Sequence, residues 1–332
     1  MHTQTKSRVV RGGGAAAILA LGAIAVVARG DARTTAATVA DGDARAAEAR
    51  LAANAAKRAR MDRPGLYRQF GEAVKVGNGH ARAYVVYAQQ DGGAPIELGV
   101  ALTEGVMEGL PAPNPHLMHQ AAKAGEHEHV DNHAYLLSLP PRGALPFQFV
   151  EFDWNPGGHE PPGVYDVPHF DFHFWTASKA DRESVDPTKD TQYQKKADAL
   201  PPEAHRPPQY VVAGPPGAPA PGVPLMGVHW VDLRTPELQK VFGKPEAYKP
   251  FTTSFLFGSW NGRFTFLEPM ITRAYIMSKK SATDAAVRDE VIPIPMPAQV
   301  GQAGYYPDAY RITWDAAAKE YRIAITNLKW RE

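Results

Sequence analysis

The sequence predicts an all-β domain, either a single β-barrel or a β-sandwich with long loops rich in Gly and Pro. The 332 residues include 29 Gly and 30 Pro, above average usage, and these residues favour turns over long helices. Between the turn signals lie short segments that are apolar or alternate between apolar and polar residues, as strands do. An apolar content of 44% is sufficient for one substantial core.

The predicted β-domain covers residues 66–332, because the alternating pattern begins at Leu66. The densest break between strands is the segment Gly214–Pro224, and the polar segment Asp181–Leu200 is compatible with one short helix. Strands are predicted at His80–Gln89, Pro95–Val106, Tyr135–Leu139, Phe147–Trp154, Pro168–Trp175, Gln209–Ala213, Gly227–Leu233, Thr253–Gly258, Arg263–Leu267, Thr272–Met277, Tyr310–Trp314 and Tyr321–Leu328.

The N-terminus has the pattern of an export signal. Lys6, Arg8 and Arg11 precede the small, apolar run Ala15–Ala28, which is short for a membrane span of about 20 residues. We therefore predict a signal peptide within residues 1–30, with an uncleaved N-terminal anchor as the alternative. Either places the domain in the periplasm or outside the cell, and no later segment resembles a span. Residues 31–65, rich in Ala and Arg, are predicted to be a helical or disordered spacer.

The charge balance and the lack of cysteine limit which partners and metal ligands the chain can use. The 36 basic and 35 acidic side chains nearly balance, which gives no basis for nucleic-acid binding. There is no cysteine, so disulfides and thiolate ligands are excluded and a metal ion would need nitrogen and oxygen ligands.

The predicted strand Pro168–Trp175 carries the strongest chemical signal. Successive side chains of a strand point to opposite faces, so its three phenylalanines share one face while His169, Asp171 and His173 share the other. The aromatic face is expected to lie in the core. Three potential ligands in a row on the opposite face predict a site for a divalent metal ion. The alternative is a set of hydrogen-bonded polar residues that hold no ion.

Strand spacing limits how one ion can use these three residues. Positions two apart lie about 6.6–6.8 Å from each other, and positions four apart about 13 Å. One ion is therefore expected to take Asp171 with either His169 or His173, and the remaining histidine to line the pocket.

Further ligands are available elsewhere in the sequence. His159 lies in a rigid Gly/Pro-rich loop, His229 alternates with Trp230 in a predicted strand, and Glu268 ends another predicted strand in an apolar setting. His229 is the first expected partner of Asp171. With two or three histidines and a carboxylate, zinc is the expected ion, and iron or manganese are alternatives.

A second group of histidines comprises His116, His119, His127, His129 and His133. Its polar surroundings are typical of an exposed loop. Such a loop could bind metal weakly or act as a lid.

The segment Pro156–Tyr165, which runs into Pro168–His173, resembles an uncharacterised bacterial secreted family known by a domain-of-unknown-function label. The resemblance extends to Gly227–Trp230 and Phe266–Met270, and so covers most of the chain from Leu66 onward. A thermophile member of that family is linked to extracytoplasmic stress regulation. The resemblance implies an envelope or periplasmic role and no particular reaction.

Short segments of the sequence also resemble two other metal-binding families. Gly163 followed by five residues and His169 is similar to the cupin pattern, but Asp171 replaces the second cupin histidine and the expected Glu is missing. The His173-Phe174-Trp175 and His229-Trp230 segments look like the ligand strands of α-class carbonic anhydrases, with the same replacement. Both resemblances imply a metal held on β-strands.

The sequence therefore predicts an exported metal-binding β-domain of the cell envelope, centred on the strand Pro168–Trp175. Two alternatives stay open. One is a metal-dependent hydrolase, lyase or oxygenase that acts on a small-molecule ligand. The other is a metal-free structural homo-oligomer of the envelope.

Overall fold

The computed structural model describes residues 60–63, 65–88, 93–114 and 131–332. The predicted signal peptide, most of the predicted spacer and the histidines at 116, 119, 127 and 129 lie outside these ranges. No helix in the described ranges has the length and apolar content needed to cross a membrane.

Seventeen strands and four short α-helices make up the described regular structure, together with short 3₁₀ turns. The strands are β1 (Arg60–Arg63), β2 (Leu66–Phe70), β3 (Val74–Val76), β4 (Gly79–Tyr87), β5 (Pro95–Thr103), β6 (His133–Ser138), β7 (Phe149–Asn155), β8 (His169–Trp175), β9 (Tyr210–Val212), β10 (Val228–Asp232), β11 (Thr253–Trp260), β12 (Arg263–Thr272), β13 (Asp289–Pro293), β14 (Gly304–Tyr306), β15 (Ala309–Asp315), β16 (Glu320–Thr326) and β17 (Lys329–Arg331). The helices are α1 (Lys179–Glu183), α2 (Tyr193–Asp198), α3 (Arg273–Ser281) and α4 (Ala285–Arg288).

Two antiparallel sheets form a sandwich. The eight-stranded sheet has the order β1-β2-β4-β5-β16-β15-β13, with β3 paired to β4, and the seven-stranded sheet has the order β6-β7-β8-β12-β11-β10-β9. A separate two-stranded ribbon joins β14 and β17. Of the two predicted architectures, the sandwich is therefore the observed one, and β1 lies within the range predicted to be a spacer.

The main core lies between the two sheets. Phe152 of β7 and Phe172 of β8 are fully buried there, and Val100 of β5 and Ile323 of β16 meet them from the opposite sheet. The alternation of β8 thus turns its phenylalanines into the core, as predicted.

The outer face of the seven-stranded sheet is covered as well. Tyr165, Leu238 and Phe251 come from the connections between strands and pack on Leu256 of β11 and Met270 of β12. All seven residues of β8 are buried in consequence, so its polar face is enclosed by the connecting segments.

The predicted strand Thr272–Met277 is wrong, because most of this segment belongs to α3. The side chain of Thr272 accepts a hydrogen bond from the backbone N–H of Tyr275 and so caps the helix. Among residues 273–277, which were predicted to be a strand and form the first part of α3, only Ile276 is fully buried. The segment Asp181–Leu200 contains the end of α1 and the whole of α2, in place of the one predicted helix.

Candidate metal centre

The polar face of β8 and its two neighbouring strands build the centre. In the antiparallel register, Asp153 of β7 lies opposite Asp171, and Met270 of β12 lies on the other side of Asp171. Glu268, two residues before Met270, points to the same face beside His173 and is 1% exposed. The sheet therefore gathers several ionisable side chains in a region from which solvent is excluded.

The first group of candidate ligands, called set 1 below, consists of His159, His169 and Asp171. The Nε2 atom of His169 lies 3.1 Å from Oδ1 of Asp171, and the Nε2 atom of His159 lies 3.3 Å from Oδ2. One ligand atom from each residue falls within 4.8 Å of the other two. Asn155 holds the carboxylate in place by donating a hydrogen bond of 2.6 Å from its Nδ2 to Oδ2.

Backbone carbonyls determine which nitrogen of each set 1 imidazole carries hydrogen. Nδ1 of His159 lies 2.8 Å from the carbonyl oxygen of Glu160, and Nδ1 of His169 lies 2.7 Å from that of Val167. A carbonyl oxygen can only accept a hydrogen bond, so each Nδ1 must donate. Both Nε2 atoms therefore turn a lone pair towards Asp171 when the rings are neutral, which is the orientation that metal-binding histidines require.

The second group, called set 2 below, consists of His173, His229 and Glu268. Nε2 of His173 lies 3.4 Å from Oε1 of Glu268, and Nε2 of His229 lies 3.6 Å from Oε2 of the same carboxylate. These three residues also offer ligand atoms within 4.8 Å of one another. On the far side of His173, Nδ1 lies 3.3 Å from Oδ2 of Asp153. A carboxylate behind a histidine is the usual support for a metal ligand, because it orients the ring and increases its basicity.

Several ligand atoms of both sets make no hydrogen bond with the described part of the chain. These buried atoms include Nε2 of His169, Oδ1 of Asp171, Nε2 of His173 and Oε2 of Glu268. The nearest oppositely charged atoms lie 3.1–3.6 Å away and form ion-pair contacts without a hydrogen bond. Since buried polar groups are nearly always paired, atoms that converge without bonding each other indicate a position for a cation.

Burial and mutual charge shift the pKa values of set 2 strongly. Burial would lower the pKa of His173, but the carboxylates of Glu268 and Asp153 outweigh it and raise that pKa to about 10. Burial raises the pKa of Glu268 to about 8 against the lowering effect of His173. Burial lowers the pKa of His229 to about 3, with a further contribution from the charge of His173. In the absence of an ion, this set therefore holds protons near neutral pH.

Set 1 contains a carboxylate that stays charged. Burial would raise the pKa of Asp171, but His169 and His159 hold it well below its usual range. Burial would lower the pKa of His159, but the charge of Asp171, 3.3 Å away, outweighs it and raises that pKa.

Aromatic rings enclose set 2. The ring of Phe266 packs against both imidazoles, with its centroid 4.9 Å from that of His173 and 5.4 Å from that of His229. This ring occupies the space over Gly258, where an added Cβ would lie 2.0 Å from ring carbons. A glycine at this position is therefore required for the ring of Phe266 to pack against the two histidines in this way.

Beside set 2, an ion pair is buried in the same layer. Arg182 of α1 donates two hydrogen bonds to Glu151, one of them at 2.6 Å from its Nε, and Trp175 donates a third at 3.0 Å. The guanidinium of Arg182 thus balances the charge of Glu151. The carboxylate of Asp153 contacts His173 instead.

Solvent reaches the two sets at one histidine each. The side chains of His159 and His229 are each 11% exposed, whereas those of His169, Asp171 and His173 are fully buried. An ion in either set would therefore be approached past its partly exposed histidine.

All six residues proposed from the sequence lie at this centre, but their grouping differs from the expectation of one ion around Asp171. One of the two histidines beside Asp171 was expected to share its ion and the other to line the pocket; in the structure His169 lies with Asp171, and His173 belongs to set 2. His229 was expected beside Asp171 and instead lies beside Glu268. Glu268 lies inside β12 and not at its end.

The supporting residues Glu151, Asp153 and Asn155 were missed. They alternate with apolar residues in β7, within or next to the predicted strand Phe147–Trp154, so the same period-two argument could have found them. Arg182 could not have been found in this way, because its contact with the sheet depends on where α1 packs.

Of the second histidine group, only His133 is described. It lies on β6, and its Nε2 is 3.7 Å from Asp131. Burial lowers its pKa against the effect of that carboxylate.

Each set offers two histidines and one carboxylate. Three protein ligands of this kind leave at least one coordination position open on zinc, and more on iron or manganese. The arrangement is thus suited to an ion that also contacts water or a small molecule.

No family model matches the sequence, and no curated protein or solved structure shows significant similarity to it.

Proposed function

We propose that this chain is an exported metal-binding protein of the cell envelope that holds divalent ions in set 1 and set 2. The observation that carries the proposal is the convergence of buried ligand atoms that have no hydrogen bond in the described structure, among them Nε2 of His169 and Oε2 of Glu268. A metal-free structural role would leave these desolvated atoms with charge contacts only and without the hydrogen bonds that buried polar atoms normally make.

Zinc is the first candidate for both sets. Two imidazoles and one carboxylate are ligands that zinc accepts in sites with an open position. Iron and manganese are the alternatives, because two histidines and one carboxylate also suit non-haem iron, and oxygen ligands suit manganese. The chain has no cysteine, so a softer thiolate environment is not available.

The proposed export rests on the N-terminal sequence. Lys6, Arg8 and Arg11 followed by the apolar run Ala15–Ala28 are typical of a secretory signal. In the periplasm or outside the cell, a site that relies on histidine and carboxylate ligands would not depend on a reducing environment.

A metal-dependent enzyme is the second candidate, favoured by the small number of protein ligands in each set. Closed four-ligand shells are typical of structural zinc, whereas three ligands with access past His159 or His229 are typical of catalytic zinc. Hydrolase, lyase and oxygenase chemistry are all compatible with such a position, in which a bound ion would polarise a water molecule or a ligand.

Elemental analysis of the purified full chain tests the proposal. After loading and removal of excess metal, wild-type protein should hold two ions, while Asp171→Asn and Glu268→Gln should each hold one. Glu237→Gln is the matched control, because Glu237 is 3% exposed but belongs to neither set, and it should retain two. Circular dichroism would confirm that the variants fold. Folded wild-type protein that retains less than one ion from zinc, iron or manganese would refute the proposal.

A further inference from the structure

We propose that a cavity beside set 2 binds a small carboxylate that carries a single ring, of the benzoate class. The cavity has a volume of about 170 Å³ and is lined by residues of α1 and α2 and of the adjoining ends of β8, β11 and β12. Trp175, which lines it, stacks on the ring of His173. No residue of set 1 or set 2 belongs to the lining, so the inference goes beyond the proposed function and requires no metal ion.

The apolar part of the lining fits one ring. Trp175, Met226 and Trp260 line the cavity and are buried. Stacking on Phe149 holds the indole of Trp175, and Trp260 packs against the ring of Tyr193. Apolar cavities of about 150 Å³ hold one benzene molecule, and a methionine sulfur makes favourable contacts with aromatic rings. The volume here therefore matches one ring with one small substituent.

Arg182 supplies a charged hydrogen-bond donor. Its side chain lines the cavity and is only 10% exposed. Its Nε and Nη2 atoms donate to Glu151, whereas Nη1 makes no hydrogen bond with the described part of the chain. A guanidinium can donate from each of its nitrogens, and its charge strengthens a bond to a carboxylate oxygen. Nη1 is therefore the donor left for a ligand carboxylate.

Thr265 supplies a second polar group, at a β-bulge in the wall of the cavity. The ladder between β11 and β12 skips this residue, and its carbonyl instead accepts hydrogen bonds of 2.8 and 3.2 Å from the N–H groups of Thr176 and Ala177. Bulges reorient side chains and are common beside functional sites. The hydroxyl of Thr265 is buried and makes no hydrogen bond with any described residue. A ligand oxygen beside it would provide the missing partner.

The arrangement of charge favours an anion over a neutral ligand. Arg182 and Lys196 line the cavity, whereas the carboxylates with which they pair do not. The positive end of each ion pair thus lies nearer the cavity. Arg263 adds a cation to the lining and lies 3.5 Å from Asp181; both side chains are at least half exposed, so this pair is weak.

Isothermal titration of benzoate into the full chain tests this inference. Benzoate should bind at one site per chain both before and after zinc loading, because neither set contributes to the lining. Benzamide has nearly the same shape without the charge and should bind at least tenfold more weakly, since it loses the charge-assisted bond to Arg182. Acetate lacks the ring and should also bind at least tenfold more weakly.

Two pairs of variants locate the site. Thr265→Val removes a hydroxyl with little change of shape and should weaken benzoate binding about tenfold, whereas Thr313→Val, at a buried threonine of β15, should not. Arg263→Gln should weaken it about two- to fivefold, whereas Arg234→Gln, at another exposed arginine paired with an aspartate, should not. Circular dichroism would confirm folding, and the exposed arginine pair keeps the test decisive if a threonine variant does not fold.

The outcomes separate this inference from the proposed function. Absence of saturable benzoate binding in the millimolar range overturns the inference. It is also overturned if benzamide or acetate binds as tightly as benzoate, or if both Thr265→Val and Arg263→Gln bind benzoate as wild type does. Benzoate that binds only to zinc-loaded protein would be a ligand of an ion, which overturns the inference and leaves the proposed function standing. Protein that binds benzoate as expected but retains no metal ion would overturn the proposed function alone.

Discussion

Ion binding by set 2 should release about two protons at pH 6. Before an ion binds, the pKa of His173 is raised to about 10, since the carboxylates of Glu268 and Asp153 outweigh the effect of burial. Burial raises the pKa of Glu268 to about 8, whereas burial lowers that of His229 to about 3. At pH 6 the interacting pair of His173 and Glu268 holds about two protons and His229 holds none, so the ion must displace both protons to reach its ligands.

The sign and size of the pH dependence follow from this count. Each displaced proton makes the apparent affinity rise tenfold per pH unit, so between pH 5 and 6 it should rise about a hundredfold. Above the pKa of Glu268, at about 8, only the proton of His173 is left to displace. The rise should then fall to about tenfold per unit, and it should end above pH 10.

Calorimetric titration of zinc in two buffers of different ionisation enthalpy measures the number of protons released. Asp171→Asn isolates set 2 for this purpose, and pH 6 keeps the measurement well below the pKa of Glu268. Adding Glu237→Gln to this protein is the control and should not alter the count. A release near zero at pH 6, or an affinity that does not change between pH 5 and 6, would refute the electrostatic reasoning for this set.

Three further substitutions probe the support of the centre. Asp153→Asn should weaken zinc binding at set 2 by about 10- to 100-fold while set 1 is unaffected, because His173 loses the carboxylate behind it; equal loss at both sets in titrations would contradict this. Gly258→Ala should destabilise the fold by about 1–3 kcal/mol in urea unfolding and weaken set 2, since its Cβ would displace Phe266; unchanged stability would count against the observed packing. Phe172→Ala, in the fully buried core, should lower the free energy of unfolding by about 3–5 kcal/mol, and a loss below about 1 kcal/mol would show that the ring is not packed as described.

The faces of β8 could be predicted from the sequence because strand alternation is a local property. Phe172 and His173 must point in opposite directions in any strand, whatever packs against them. The choice of sandwich over barrel was not predictable in the same way, because it depends on which strands remain edges of their sheets. Local pattern carries no information on that choice.

The division of the ligands into two sets could not be predicted from local sequence patterns for the same reason. Strand spacing correctly limited Asp171 to one neighbouring histidine, His169. The third member, His159, reaches Asp171 only because its loop folds back over the sheet, and His229 comes from two strands beyond β12 in the sheet order. These positions depend on strand order and loop packing, which no short pattern encodes.

The prediction of a strand at Thr272–Met277 failed through a competition between local signals. Its β-branched and aromatic residues favour a strand. Thr272 is also a good N-cap, and its hydroxyl accepts from Tyr275 to begin α3 directly where β12 ends. Capping and tertiary packing outweighed composition here.

The place of β16 in the eight-stranded sheet has a consequence for how the chain folds. This strand lies between β5 and β15, and its pairing with β5 joins Glu320 to Thr103 and Thr326 to Glu97. The sheet cannot close until residues 320–326 have been synthesised, and closing it requires a very long loop of chain to be ordered at once. Folding should therefore be slow and late, and the intervening segments that build the centre would acquire their geometry only when this closure is complete.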